Sequence, residues 1–274
     1  MLIACGTTNV VPITGRKQRI NVDEASTLSL SNQEYHNYIS QAKLSTNATS
    51  NALVKKVGQK LANAVETYLR NNGYEAEVQN YNWEFNLVAD NQANAFCMPG
   101  GKIVVYEGIL PITQNETGLA IVLGHEIAHA VAKHSAEQMT KQQNQELLGG
   151  VVNSVLGSVA GSNTASTLSQ LYGLGSQMAT LSYSRKHENE ADHIGLIFAA
   201  MAGYDPNEAL TFWQRMAASS SNSTPEFLST HPSDATRIAN IQKLLPQALQ
   251  YYNAATGRTN TTTTPKTTGT FRVK

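Results

Sequence analysis

Leu119-Ala120-Ile121-Val122-Leu123-Gly124-His125-Glu126-Ile127-Ala128-His129 is the stretch on which the reading of this chain turns. On a helix, residues four apart share a face, about one turn above each other. His125 and His129 can therefore hold one metal ion between them, with Glu126 beside the pair and within reach of a water. Two imidazoles for the ion and a carboxylate to take a proton from water are what zinc-dependent peptide hydrolysis needs. A chance match, or a core helix with two satisfied histidines, would give the same letters, so the surroundings have to decide.

The surroundings favour a helix. Thr113-Gln114-Asn115-Glu116 fits a capping box. Leu119, Val122, Leu123, Ile127 and Val131 then recur at helical spacing. Polar groups on so apolar a helix are buried and need partners. A catalytic zinc also takes three protein ligands and keeps one open position. In Ser184-Arg185-Lys186-His187-Glu188-Asn189-Glu190-Ala191-Asp192-His193, Glu188 and Asp192 are four apart on a second helix, whose apolar continuation is Ala191, Ile194, Leu196 and Ile197. Glu188 can supply the third ligand. Asp192 can accept the free ring N–H of a ligating histidine and fix its tautomer. A di-iron carboxylate centre is the competing reading, because Glu126-Ile127-Ala128-His129 and Glu190-Ala191-Asp192-His193 are both Glu-x-x-His. An envelope chaperone or assembly factor with a latent zinc site is a further alternative.

Working outward, the chain has 274 residues, no net charge, 41% hydrophobic and 15% charged residues. That suits one large domain with appendages. The absence of basic clusters gives no electrostatic case for nucleic acid, and no apolar run is long enough to span a membrane as a helix. Leu2-Ile3-Ala4-Cys5 resembles a bacterial lipobox, and residues 6–22 read as a tether. Helices are expected over 33–44 and 51–72, and the period-two alternation of Tyr81, Trp83, Phe85 and Leu87 predicts a half-buried strand. Ala95–Met98 and Lys102–Tyr106 flank Pro99-Gly100-Gly101 as a hairpin. With Asn94-Ala95-Phe96 it is either a structural hairpin or an edge that pairs with an extended substrate backbone. Residues 141–180, rich in Gly and Ser, read as a lid or a surface insertion. Helices follow from Ser184 and from Asp205-Pro206, and a last one after His231-Pro232-Ser233-Asp234. The Thr-rich stretch 253–274 reads as disordered.

As an ordered set these motifs resemble the forty-eighth metallopeptidase family, the HtpX-like, CAAX-prenyl-protease-type zinc metallopeptidases. The matching pieces are His125-Glu126-Ile127-Ala128-His129, Glu188-Asn189-Glu190-Ala191-Asp192 with Gly195, Ala202-Gly203-Tyr204-Asp205-Pro206, His231-Pro232 with Arg237, and Asn94-Ala95-Phe96 with Pro99-Gly100-Gly101. The resemblance implies an α+β, mostly helical gluzincin-type zincin with a small sheet against the metal helix, in a peptidase domain over 23–252. It implies one Zn2+ per chain on His125, His129 and Glu188, with Glu126 as general base and later acid. It places Asp192 behind a ligand, His231 and Arg237 at the oxyanion, and Asn94, Ala95 and Phe96 on the substrate side. The implied activity is metalloendopeptidase cleavage of extended protein or peptide substrates in cell-envelope quality control. Pro12-Ile13-Thr14-Gly15-Arg16-Lys17-Gln18 resembles the leader of lipoprotein members. This adds the expectation of a lipid on Cys5 and a periplasm-facing, outer-membrane-anchored protein.

Overall fold

The computed structural model of the chain describes residues 7–154, 183–219, 225–231 and 235–258. Strands β1 (Thr7–Val10) and β2 (Lys17–Ile20) form an antiparallel hairpin, followed by α1 (Glu24–Gln41), α2 (Ala48–Asn71) and the single turn α3 (Glu75–Val78). A second sheet contains β3 (Glu84–Val88), β4 (Ala95–Met98) and β5 (Lys102–Tyr106) in the order β3-β5-β4. β3 runs parallel and β4 antiparallel to the central β5. Then come α4 (Leu110–Thr113), α5 (Glu116–Val131), α6 (His134–Ser154), α7 (Arg185–Met201), α8 (Glu208–Ala218), the short α9 (Glu226–Thr230) and α10 (Ala235–Thr256). The class is α+β and mostly helical, with the small sheet against α5, the helix that carries His125 and His129.

Strand alternation sorts the side chains into two packed layers. Phe85, Leu87, Ala95, Cys97, Ile103 and Val105 join α2, α5, α7 and α8 in the main core. Val88, Phe96, Met98, Val104 and Tyr106 face the other way, onto Tyr35 of α1 and Ala136 and Met139 of α6. Covered on both faces, β4 and β5 are buried at every position. α5 is buried from Gly118 to His129 and at Val131, so it runs through the middle of the molecule.

Two glycines set how closely α5 and α7 approach. A Cβ on Gly195 would lie 2.7 Å from the Gly124 carbonyl, and one on Gly124 would lie 2.8 Å from Gly195 O. The helices cross backbone against backbone, and that brings Glu188 and Asp192 up to the histidines of α5.

Several expectations are corrected. Residues 7–20, read as part of a flexible tether, are a hairpin docked on the body: Val11 is fully buried, and Gln18 Nε2 donates to Ala132 O at the end of α5 at 3.0 Å. The first helix begins at Glu24, not near 33, because the Asp23 carboxylate caps it by accepting from Ser26 N–H. The cap of α5 is Asn115, which accepts from Gly118 N–H, while Thr113 closes the preceding turn. The first strand of the three-stranded sheet starts at Glu84, since Tyr81 and Trp83 stack on each other ahead of it at 4.7 Å. The stretch read as a lid or insertion from 141 starts as part of α6 up to Ser154, and the rest of it lies outside the described residues. The expected tail opens inside α10; from residue 259 onward it too lies outside them.

Candidate metal centre

Helix α5 presents His125 and His129 on one face, each 2% exposed. Their Nε2 atoms lie 3.1 Å apart. Glu188, near the start of α7, points Oε2 to 3.4 Å from His125 Nε2 and Oε1 to 3.3 Å from His129 Nε2. His231, just past α9, brings Nδ1 to 3.2 Å from His125 Nε2 and 3.0 Å from Glu188 Oε1. These four buried side chains form the cluster that could hold a metal ion among the described residues. The spacing fits one ion: a tetrahedron with bonds of about 2.0–2.1 Å has edges of about 3.3–3.4 Å.

The proton inventory points the same way. Asp192 Oδ1 lies 2.9 Å from His125 Nδ1. Burial works against the charged form of Asp192, but the adjacent Arg237 guanidinium outweighs it and holds the carboxyl below its ordinary value. A carboxylate only accepts, so His125 Nδ1 carries a proton. Against burial and Arg237, Asp192 and Glu188 raise this ring above its ordinary value, and a cation taking the place of its second proton would meet Nε2 as a lone pair. Burial pushes His129 well below its ordinary value, so it is neutral. Its Nδ1 meets His134 Nδ1 at 2.9 Å, and His134 Nε2 meets Glu190 Oε2 at 3.0 Å. Burial likewise pushes His134 down to about 4. The single proton of His134 is then on Nε2, toward the carboxylate, and His129 Nδ1 must donate to the bare Nδ1 of His134. His129 Nε2 is a second lone pair. Two ring nitrogens and a carboxylate converge on one point, a donor set that fits a metal ion. Burial opposes ionisation of Glu188, yet the facing His231 holds its carboxyl far below the usual range.

Glu126 lies beside this cluster. Its Oε1 is buried without a hydrogen bond, with His231 Nε2 3.4 Å away. Burial is the main reason its carboxyl is pushed up to about 7, and the Cys97 backbone N–H offsets part of this. β4, an edge strand of its sheet, packs against α5 with Cys97 beside Glu126. Asn94 and Met98 turn their backbone carbonyls toward β5, where Tyr106 and Gly101 donate to them, so Ala95 and Cys97 carry the groups that face outward. The Asn94 amide nitrogen is also buried without a partner, while its oxygen accepts from Ala95 N–H. Phe96 is not at the site: it packs edge-on against Tyr38 and Tyr106 on the opposite face of the sheet. A cavity of about 510 Å³ opens beside His129, with Tyr81, Pro99, Gly100 and Lys133 on its walls.

Arg237 forks onto Asp192 at 2.8 and 2.7 Å, reaches Glu188 at 3.2 Å and lies flat on Trp213, 3.4 Å from the ring centroid. The pieces of the di-iron reading do not converge. His193 turns outward to Gln247, and Glu190 faces His134 and Arg16 rather than the α5 pair. Two contributors escaped the sequence reading. His134 lies one turn beyond the helix, after Lys133 takes a left-handed backbone (φ 53°) that re-aims the chain. A third histidine five residues after His129 was the available signal. Tyr183 stacks on His129 at 4.0 Å and has no sequence signature. Cys5 lies outside the described residues.

Comparison with known proteins fits this geometry. The description Peptidase family M48 matches residues 51–245. Over 171 residues the chain is 41% identical to the mitochondrial metalloendopeptidase OMA1 of Schizosaccharomyces pombe, covering 61% of this chain and 48% of that protein. It is 32% identical over 247 residues to the mitochondrial metalloendopeptidase OMA1 of Homo sapiens, covering 88% and 46%. It is 31% identical over 164 residues to the beta-barrel assembly-enhancing protease of Escherichia coli, covering 58% and 34%. The chain thus spans about half or less of the length of these relatives. The expected placement as a periplasm-facing, outer-membrane-anchored protein is overturned here, because relatives in fungi, human and plant are mitochondrial proteins.

Proposed function

This chain belongs to peptidase family M48, and on that footing we propose that it is a zinc-dependent metalloendopeptidase that cleaves extended protein substrates in protein quality control. The observation that carries this reading is the convergence of His125, His129 and Glu188 at tetrahedral spacing beside a buried Glu126 oxygen with no partner. His125, His129 and Glu188 would hold the zinc, which when bound supplies Lewis acidity to polarise the scissile carbonyl. Glu126 takes the proton of the attacking water and returns it to the leaving amine. A carboxyl raised by burial suits both halves of that task. The outward-facing carbonyls of Ala95 and Cys97 support pairing with the N–H groups of an extended substrate, their own N–H groups being turned to Asn94 and Glu126, and the unpartnered Asn94 amide is placed to donate to it. Phe96 has no part in this proposal.

An unfolded reporter such as casein tests the reading. Cleavage should stop with a chelator and return with added zinc. A zinc-loaded chain that cleaves neither casein nor peptides would refute it. Lipidation of Cys5 is a separate proposal resting on Leu2-Ile3-Ala4-Cys5. Labelling with a clickable fatty acid, present in the wild type and lost in Cys5→Ala, is its test.

His231 carries a second proposal. With its Nδ1 beside the other donor atoms, an ion held here would have four protein donors and no open position, the closed form typical of structural zinc. We therefore propose that His231 latches the substrate-free centre and must leave for turnover. His231→Ala is expected to raise peptide turnover several-fold and to weaken zinc retention. Lost turnover with zinc retained would favour the oxyanion role instead, and unchanged kinetics would eliminate both.

A further inference from the structure

The two zinc-facing histidines are supported differently. His125 rests directly on Asp192, which is gripped by Arg237. His129 rests on another imidazole, His134, which rests on Glu190. The far end of that chain is outside the stretch matched by the family. Thr14 Oγ1 donates to Glu190 Oε1 at 2.6 Å, and Arg16 Nε donates to Glu190 Oε2 at 2.7 Å. Both belong to the turn of the β1–β2 hairpin. Arg16 Nη2 also bonds Glu137 of α6 at 2.8 Å and Gln18 Oε1 at 3.1 Å. Glu190 therefore has both oxygens engaged and no rotation left.

We propose that Thr14 and Arg16 are positioning residues of the metal centre: through Glu190 and His134 they hold the ring of His129, as Arg237 holds that of His125 through Asp192. The inference rests on the zinc reading above. The alternative is a hairpin clamp that only adds stability. Against it, the chain of contacts ends on a ring nitrogen of His129 and not on backbone, and His134 is fully buried. The contacts are continuous: His129 Nδ1 meets His134 Nδ1, His134 Nε2 meets Glu190, and Glu190 accepts from Arg16 and Thr14. Outer partners of this kind change metal affinity by about 10–100-fold when removed. A hairpin that merely sits on the surface would not reach the metal at all.

The test compares zinc affinity, by competition with a chromophoric chelator, in wild type, Arg16→Met, His134→Phe and the double variant. The absorption spectrum of the cobalt(II) forms and the melting of the metal-free chains are recorded alongside. Arg16→Met should weaken zinc about tenfold or more and alter the cobalt spectrum. In the His134→Phe background the same change should cost nothing further, because the link to His129 is already cut. Wild-type affinity in Arg16→Met, or an equal loss in both backgrounds, would overturn the proposal in favour of a stability clamp. If Arg16→Met melts early, Thr14→Val removes one hydrogen bond and leaves the ion pair. It should still weaken zinc several-fold, and unchanged affinity there counts as refutation. A wild-type chain that binds no zinc would instead overturn the zinc reading, and this inference with it.

Discussion

Glu126→Gln is expected to lower peptide hydrolysis roughly a hundred- to ten-thousand-fold, the range spanned by a lost general acid–base, while zinc content and melting stay at the wild-type level. The amide has nearly the shape of the carboxylate but cannot accept the water's proton. The side chain is 3% exposed, so no solvent group substitutes for it. Glu126 is also not among the four converging donors, so its loss leaves the metal's holders in place. The Cys97 N–H contact can be made by the amide oxygen, which keeps the edge of β4 where it is. Kinetics on a fluorogenic peptide, with zinc measured on the same sample, is the check. Turnover near the wild-type rate in a preparation free of other proteases would remove Glu126 from the mechanism.

Gly195→Ala is expected to damage stability and metal binding together. Its Cβ would lie 2.7 Å from Gly124 C and O and from His125 N, all of them backbone atoms that cannot rotate away. Helices α5 and α7 have to part. Overpacking of this kind costs about 1–3 kcal/mol, at times more. The displacement acts on one ligand-bearing helix relative to the other, so Glu188 and Asp192 move with it and zinc affinity falls by an order of magnitude or more. Thermal melting of the metal-free chain and chelator competition measure the two effects. Gly124→Ala should behave alike, its Cβ meeting Gly195 O at 2.8 Å. Wild-type melting and zinc affinity in both variants would show that the close approach is not needed.

Much of this centre is legible in the sequence because helical periodicity is a local rule. His125 and His129 share a face by spacing alone, and Glu188 and Asp192 do so on their own helix. That the two helices face each other follows from the resemblance, and Gly124 and Gly195 are its physical cause. The misses are of another kind. Residues 7–20 carry few apolar side chains and little alternation, so nothing local announces the hairpin; it is held by Val11 in the core and by Arg16 and Thr14 on a carboxylate some 175 residues away. His134 was passed over because Lys133 breaks the helical phase in a left-handed turn that Glu24 and Glu77 hold from other elements. Asn94-Ala95-Phe96 was read as one substrate-facing unit, but strand parity separates them. Phe96 must point opposite to Ala95, and here that is away from the His125 and His129 cluster. The outer-membrane placement failed for a different reason: two short likenesses near the start, Leu2-Ile3-Ala4-Cys5 and Pro12 to Gln18, were asked to decide a compartment.

The central claim is that one zinc ion is held between α5 and the start of α7. Crystals grown with zinc, with diffraction recorded on both sides of the zinc absorption edge, test it most directly. The expected result is a single anomalous peak per chain, with His125 Nε2 and His129 Nε2 at about 2.0–2.1 Å and a Glu188 oxygen at about 2.0–2.2 Å. A peak on His134 and Glu190 instead, or a peptidase that turns over with no zinc between these helices, would contradict it.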